Sequence, residues 1–269
     1  MKEAYYKNLY YRVNTWGTGR PTLVFMHGLS GSSSAWLPYE KTFEEKYNIL
    51  SFDIRGHGKS QKFNKYHDYE IANFSSDLHE LTEYLHIEKF ILISHSFATL
   101  IAAEYIKSYQ GKVAANVFLS PIFYLEKGLM AKLSRPILAL TRIFDFFPFY
   151  LKPGGHVDYT KYPNSTDWSL ARCFADVTNT TLPVYLFCLR KSVTLNQEYS
   201  LEKIDIPTLI VHGRLDSMAP VQNSIDLSKK IKNSKLIIIE NTDHIVVLNN
   251  VKDVSQAIME FVEASNKYS

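Results

Sequence analysis

Three side chains able to cooperate in nucleophilic catalysis each stand just beyond a short apolar run. Ser96 closes Phe90-Ile91-Leu92-Ile93-Ser94-His95-Ser96, Asp216 follows Pro207 to Val211, and His244 follows Leu236-Ile237-Ile238-Ile239. A serine hydroxyl is a weak nucleophile until an imidazole takes its proton. That imidazole in turn needs a carboxylate to fix its tautomer and to stabilise its transient charge. The pattern therefore predicts Ser96 as nucleophile, His244 as general base and Asp216 as the acid that orients it. Taken singly, each residue has a plainer explanation: Ser96 as a helix cap, Asp216 as a turn cap, His244 as an inert loop histidine. Three such residues in Ser, Asp, His order, each after its own apolar run, make independent coincidence the weaker account.

A carbonyl attacked by such a serine becomes an oxyanion, which needs hydrogen-bond donors. The turn His27-Gly28-Leu29-Ser30-Gly31 follows the apolar run Thr22 to Met26, and its glycines allow a backbone N–H to be aimed at substrate. The N–H groups of Leu29 and of Phe97, directly after Ser96, are the expected oxyanion donors; losing one such donor typically costs about 3 kcal/mol.

The elements that must position these groups are legible from periodicity. Short apolar runs at Thr22–Met26, Asn48–Phe52, Phe90–Ile93, Val113–Leu119, Pro207–Val211 and Leu236–Ile239 read as strands buried on both faces. Ile71, Phe74, Leu78, Leu81 and Leu85 recur at helical spacing, as do Val251, Val254, Ile258, Phe261 and Val262. Strand–helix alternation predicts an α/β fold with a mostly parallel, doubly wound sheet. Tyr5 to Val13 alternates weakly and is expected to form one antiparallel edge strand. From Pro121 to about Asn196 the alternation stops. That stretch is aromatic-rich and broken by Pro136, Pro148, Pro153, Gly154-Gly155 and Pro163. A structureless loop so long is improbable in a compact domain, so residues 121–196 are expected to be a mostly helical insertion on a core made of residues 1–120 and 197–269.

The 269 residues carry 46% hydrophobic side chains, enough for a large core, and a net charge of +3, which implies no nucleic-acid partner. Two cysteines, Cys173 and Cys188, are too few for a disulfide framework and read as free buried thiols. The N-terminus has no apolar signal core, and no run reaches the roughly 20 residues of a membrane span. A cytoplasmic location is the expectation. No tight His/Cys/Asp cluster has ligand spacing, so neither metal nor cofactor is expected. Nothing in the sequence bears on the oligomeric state.

These features together resemble the α/β-hydrolase superfamily over nearly the whole chain. The resemblance is carried by His27-Gly28, Asp53-x-Arg55-Gly56-His57-Gly58-x-Ser60, the segment around Ser96, Gly213-x-x-Asp216-x-x-x-Pro220 and Asp243-His244. It departs from the family at Ser94 and Ala98, small residues where glycine is usual. The Asp53–Ser60 segment is similar to that of lid-bearing esterases and lipases. The resemblance implies the α/β-hydrolase fold, the same triad and oxyanion donors, and a cap at the insertion. In some members the acid follows the strand before the cap; here that place reads Ser120-Pro121-Ile122, without a carboxylate. Gly56-His57-Gly58-Lys59-Ser60 lacks the first glycine of a phosphate-binding loop, since Asp53 stands there. His57 and His95 are expected to be structural.

Serine rather than aspartate as nucleophile suits attack on a carbonyl. The expected substrate is a small or medium lipophilic ester, with the aromatic stretch around Phe144 and Phe147 lining an apolar pocket. Two alternatives stay open: a carbon–carbon bond hydrolase that uses cap arginines (Arg135, Arg142, Arg172, Arg190) to bind a carboxylate, and a non-catalytic receptor on the same fold.

Overall fold

The computed structural model describes residues 1–14, 19–123, 136, 138–146, 154–194 and 201–265. Its centre is one eight-stranded sheet: β1 (Lys2–Tyr6), β2 (Leu9–Val13), β3 (Thr22–Met26), β4 (Asn48–Phe52), β5 (Phe90–His95), β6 (Val113–Leu119), β7 (Thr208–Gly213) and β8 (Ser234–Ile239). They lie in the order β1-β2-β4-β3-β5-β6-β7-β8. All pairs from β4 to β8 are parallel; β2 is antiparallel to both β1 and β4. The helices are α1 (Leu37–Phe43), α2 (Ile71–Tyr84), α3 (Phe97–Tyr109), α4 (Leu170–Thr180), α5 (Leu182–Thr194), α6 (Val221–Lys230), α7 (Val246–Asn249) and α8 (Val251–Ser265).

The two-residue period of a strand explains why the central runs are wholly apolar. On one face Val24, Met26, Leu50, Phe52 and Leu92 join Phe74, Leu78 and Leu81 of α2 and Leu100 and Ile101 of α3. On the other, Leu23, Phe25, Ile49, Ile91 and Ile93 join Tyr39 and Phe43 of α1 and Val254, Ile258 and Val262 of α8. Each of β3, β4 and β5 is thus anchored from both sides. A one-residue slip would exchange the two sets of side chains.

The N-terminal expectation needs correction. Tyr5 to Val13 is not one edge strand. It contains the turn of a hairpin whose arms are β1 and β2, with Tyr6 opposite Leu9. Lys7, with φ of 49°, makes the turn with Asn8. A two-residue hairpin loop needs positive φ to match strand twist, and the sequence offers no glycine to announce it.

Between β6 and β7 the described residues include α4, α5 and the single turns Thr141–Asp145 and Tyr159–Lys161. Residues 154–169 form no long helix, so this stretch is less regular than the sequence suggests. Residues 154–180 are tied to the sheet side by hydrogen bonds: Ser34 Oγ to the Val157 carbonyl (2.8 Å), Thr180 Oγ1 to the Ser30 carbonyl (3.0 Å) and Asn249 Nδ2 to the Ser165 carbonyl (2.8 Å). No helix among the described residues is long and apolar enough to cross a membrane.

Candidate active site

Strand β5 delivers Ser96 to a turn that must become helix within one residue. Ser96 has φ 51° and ψ −118°, a conformation rarely adopted by an L-residue with a side chain. Such strain costs about 1–3 kcal/mol and persists only where the surroundings impose it. Here Ser96 N–H donates to the Leu119 carbonyl (3.0 Å), and the Ser96 carbonyl accepts from Thr99 N–H (2.9 Å) and Thr99 Oγ1 (2.6 Å). The close approach of β3 makes the next demand: a Cβ on Gly28 would lie 2.9 Å from His95 Nδ1 and 3.1 Å from Ser96 Cβ. Ser94 and Ala98 are both fully buried, so the small side chains found in place of the usual glycines fit.

The three expected residues meet. His244 Nε2 lies 2.7 Å from Ser96 Oγ, and His244 Nδ1 lies 2.7 Å from Asp216 Oδ2. All three are buried. Asp216 sits at the carboxyl end of β7, where its Oδ1 accepts the N–H groups of Met218 (2.9 Å) and Ala219 (2.7 Å). Burial pushes its carboxyl up. The hydrogen bonds from His212 and His244, the charge of His244 and the Ala219 N–H outweigh burial and hold it well below the ordinary carboxylate range. An ionised acid beside an imidazole is the arrangement that stabilises imidazolium.

Phe97 opens α3, so its N–H has no carbonyl within the helix to bond. Leu29 follows Gly28 on the facing turn, and both residues line the same cavity as Ser96 and His244. That cavity, of about 1150 Å³, also meets Leu138, Val177, Leu189 and Val193 from the segment between β6 and β7.

Over residues 21–251 the sequence matches the family model described as the alpha/beta hydrolase fold. The chain belongs to the α/β-hydrolase family. Among its relatives is the non-heme haloperoxidase of Rhodococcus erythropolis, 24% identical across 97% of this chain and 96% of the relative. The bifunctional esterase/perhydrolase of Acinetobacter calcoaceticus is 26% identical across 93% and 94%. A thermophilic esterase from Thermogutta terrifontis superposes with a TM-score of 0.72 at 19% identity, covering 96% of this chain and 94% of that one. This hydrolase therefore has a relative named as an esterase/perhydrolase matched across 93% of its length, and the last likeness speaks to fold alone.

The motif Asp53–Ser60 of the hydrolase proves to be architectural. Asp53 is fully buried and accepts from Ser33 N–H (2.7 Å), Lys59 N–H (2.7 Å) and His156 Nε2 (2.8 Å). Gly58, at φ +49°, is obligatory there, because a Cβ would fall 2.2 Å from Asp53 Oδ2. Arg55 makes a two-pronged pair with Asp77 at 2.6 Å.

His57 is buried with Nδ1 2.9 Å from the Arg55 carbonyl. His95 donates from Nε2 to the His244 carbonyl at 3.0 Å, and burial beside His244 pushes its imidazole down to about 3. It stays neutral and braces the backbone of His244.

Two expectations change. Phe144 packs against the sheet-side core and is not among the residues lining the cavity; Phe147 lies outside the described residues. The thiols of Cys173 and Cys188 are free, but only Cys188 is buried; Cys173 is half-exposed and lines the cavity. Two contacts to the triad escaped sequence reasoning. His212 Nε2 lies 3.0 Å from Asp216 Oδ2, a contact hinted at only by a histidine ending an apolar strand. Asp167 accepts a hydrogen bond from His244 N–H at 2.9 Å, and nothing in its surrounding sequence marks it.

Proposed function

We propose that this hydrolase cleaves carboxylic esters of small to medium lipophilic substrates through an acyl-enzyme on Ser96. The observation that carries the reading is the continuous contact Asp216–His244–Ser96, with both links at 2.7 Å. His244 Nε2 takes the hydroxyl proton as Ser96 Oγ bonds to the ester carbon. Asp216 holds Nδ1–H and stabilises the imidazolium. The N–H groups of Leu29 and Phe97 receive the oxyanion. As the tetrahedral centre collapses, His244 returns the proton to the departing alcohol. A water molecule, deprotonated by the same imidazole, then attacks the acyl carbon, and Ser96 Oγ leaves with that proton.

The substrate class follows from the cavity's apolar walls and from what the arginines of the segment between β6 and β7 already do. Leu138, Val177, Leu189 and Val193 offer apolar walls, and we assign residues 121–196 the role of a cap over them. A carbon–carbon hydrolase would need a cationic group for a substrate carboxylate. Arg172 is instead paired with Asp176 at 2.7 Å and Arg190 with Asp145 at 2.7 Å, while Arg142 is exposed and Arg135 lies outside the described residues. The esterase named among the full-length relatives supports the ester reading.

The test combines fluorophosphonate labelling with p-nitrophenyl ester turnover. Wild type is expected to label at Ser96 and turn over repeatedly, and Ser96→Ala to lose roughly a million-fold in kcat. Near-normal hydrolysis by that variant would refute the assignment, and labelling without turnover would favour a receptor.

A further inference from the structure

The triad loops are joined by a side chain that belongs to neither. Asp167 lies in the irregular stretch before α4, and it is almost completely buried, at 2% exposure. Its Oδ1 accepts the backbone N–H of His244 at 2.9 Å. Its Oδ2 accepts the backbone N–H of Ser217 at 3.0 Å and the Ser217 hydroxyl at 2.7 Å. One carboxylate therefore spans the residue after the triad acid and the triad base itself. The clamp is reinforced on either side: Asp167 N–H donates to Asp243 Oδ2 at 3.1 Å, and Trp168 Nε1 donates to Ser217 Oγ at 2.9 Å. The Asp167 carbonyl is gripped in turn by Arg172 Nη2 at 3.3 Å.

We infer that Asp167 is a positioning residue that couples the cap segment to the triad, fixing the spacing between the Asp216 loop and the His244 loop. The loops leave different strands, β7 and β8; Leu215 N–H already bonds the Thr242 carbonyl at 2.8 Å, and Asp167 adds a second tie at Ser217 and His244 themselves. A triad link of 2.7 Å leaves little slack, and a misplacement of about 1 Å typically costs roughly a hundred-fold in rate.

The choice of a carboxylate adds a second effect. The carboxylate oxygens of Asp167 are bonded by neutral N–H and O–H donors, while the Arg172 guanidinium meets its backbone carbonyl and pairs with the carboxylate of Asp176. A buried anion that close to His244 favours the imidazolium that forms during attack. Its charge also contributes, after burial, to raising the carboxyl of Asp243 above the usual range. The groups facing His244 are Asp216 and Ser96 at its ring, His95 at its carbonyl, Asp167 at its N–H and Asp243 as its chain neighbour. Of these only Asp167 comes from the segment between β6 and β7. A cap lifted by substrate or by a mutation would take this brace with it, so the base is held in line only while the segment is seated.

The inference rests on the triad reading of the proposed function, and its experiment separates the two. Asp167→Asn keeps the shape but removes the charge and puts an amide donor opposite N–H donors. It is expected to lower kcat and the fluorophosphonate labelling rate roughly 10- to 100-fold with KM within about threefold. The acid limb of the kcat/KM profile should also move to lower pH, as loss of a nearby anion disfavours imidazolium. Ser217→Ala, at an exposed position, tolerates the change in folding and removes one bond of the clamp; its kcat should fall roughly three- to tenfold. If Asp167→Asn only lowers Tm, with kcat and pH profile within twofold of wild type, the residue is merely structural and the inference is overturned. Where Asp167→Asn does not fold, an unchanged kcat in Ser217→Ala overturns it. A wild type that labels normally in those experiments leaves the triad reading intact; a wild type that fails to label overturns both.

Discussion

His212 Nε2 lies 3.0 Å from Oδ2 of Asp216, the oxygen that His244 Nδ1 meets at 2.7 Å. The same Nε2 is 2.9 Å from the Ala219 carbonyl, which can only accept, so this nitrogen carries the proton. His212 Nδ1 then accepts from the Ser224 hydroxyl at 2.7 Å. With Met218 and Ala219 N–H on its other oxygen, Asp216 accepts from three donors and shares the His212 Nε2 proton with the Ala219 carbonyl. A carboxylate so fully engaged is weakly basic, which keeps the proton of Nδ1–H on His244 during turnover.

Removing that second imidazole should change the pH dependence in a direction opposite to loss of Asp167. His212→Leu leaves Asp216 less shared and its attraction for imidazolium stronger. The acid limb of kcat/KM is expected to move to higher pH, with kcat down roughly tenfold. His212→Gln, which retains a donor, should recover most of both. Measuring kcat/KM from pH 5 to 9 for the two variants checks this, and identical profiles for Leu, Gln and wild type would show that His212 only fills space.

Acid stability should report on Asp53. Burial pushes its carboxyl up, but the His156 hydrogen bond and the charges of His156 and His27, with the Ser33 N–H, bring it down to about 2. Its folded value is thus below the unfolded value of about 3.9. The stabilisation, of about 2 kcal/mol, is present above pH 4 and is lost as pH falls toward 2. His156→Ala removes the contact that offsets burial, so it should cost about 1–2 kcal/mol at pH 7 and less at pH 3. Urea unfolding at the two pH values measures this; an equal loss at both would show that His156 contributes packing alone.

The parts of this architecture that were readable from sequence are those written locally. A strand buried on both faces is an uninterrupted apolar run, and the triad residues stand one to five positions past such runs, so β5, β7, β8, Ser96, Asp216 and His244 announce themselves. The hairpin turn at Lys7 was missed because positive φ there is not enforced by glycine. Asp167 was missed for a deeper reason. Its partners are 50 and 77 residues away, and it stands in the irregular stretch of residues 154–169, which no periodicity marks. Phe144 shows the converse limit: aromatic composition predicts burial but not which surface is covered, and Phe144 turned to the core rather than to the cavity.

Gly28 should separate rate from stability. Its missing side chain lets the turn bearing Leu29 approach Ser96: an alanine Cβ would fall 2.9 Å from His95 Nδ1 and 3.1 Å from Ser96 Cβ. The backbone must give by a few tenths of an ångström, and the Leu29 N–H moves with it. Gly28→Ala is expected to lower kcat roughly 10- to 1000-fold, toward the cost of losing one oxyanion donor, with KM little changed. Esterase kinetics alongside thermal unfolding check this. A large drop in Tm with normal kcat per folded molecule would place the strain elsewhere.

Chain-length selectivity should be set by the small apolar cluster of Leu138, Leu189 and Val193, all of which line the cavity. Val193 is 6% exposed, so a larger side chain cannot turn to solvent without disturbing α5 and must project into the cavity instead. Val193→Trp is expected to cut kcat/KM for octanoyl and longer p-nitrophenyl esters by at least tenfold and to leave acetate within about threefold, since each methylene in an apolar pocket is worth about 1–3 kcal/mol. The chemistry at Ser96 is shared by every member of the series, so a shift of the optimum toward short acyl groups can come only from the wall. A uniform loss across all chain lengths would place the acyl group elsewhere in the cavity, and the region lined by Asn223, Asp226 and Lys229 would then be the part to probe.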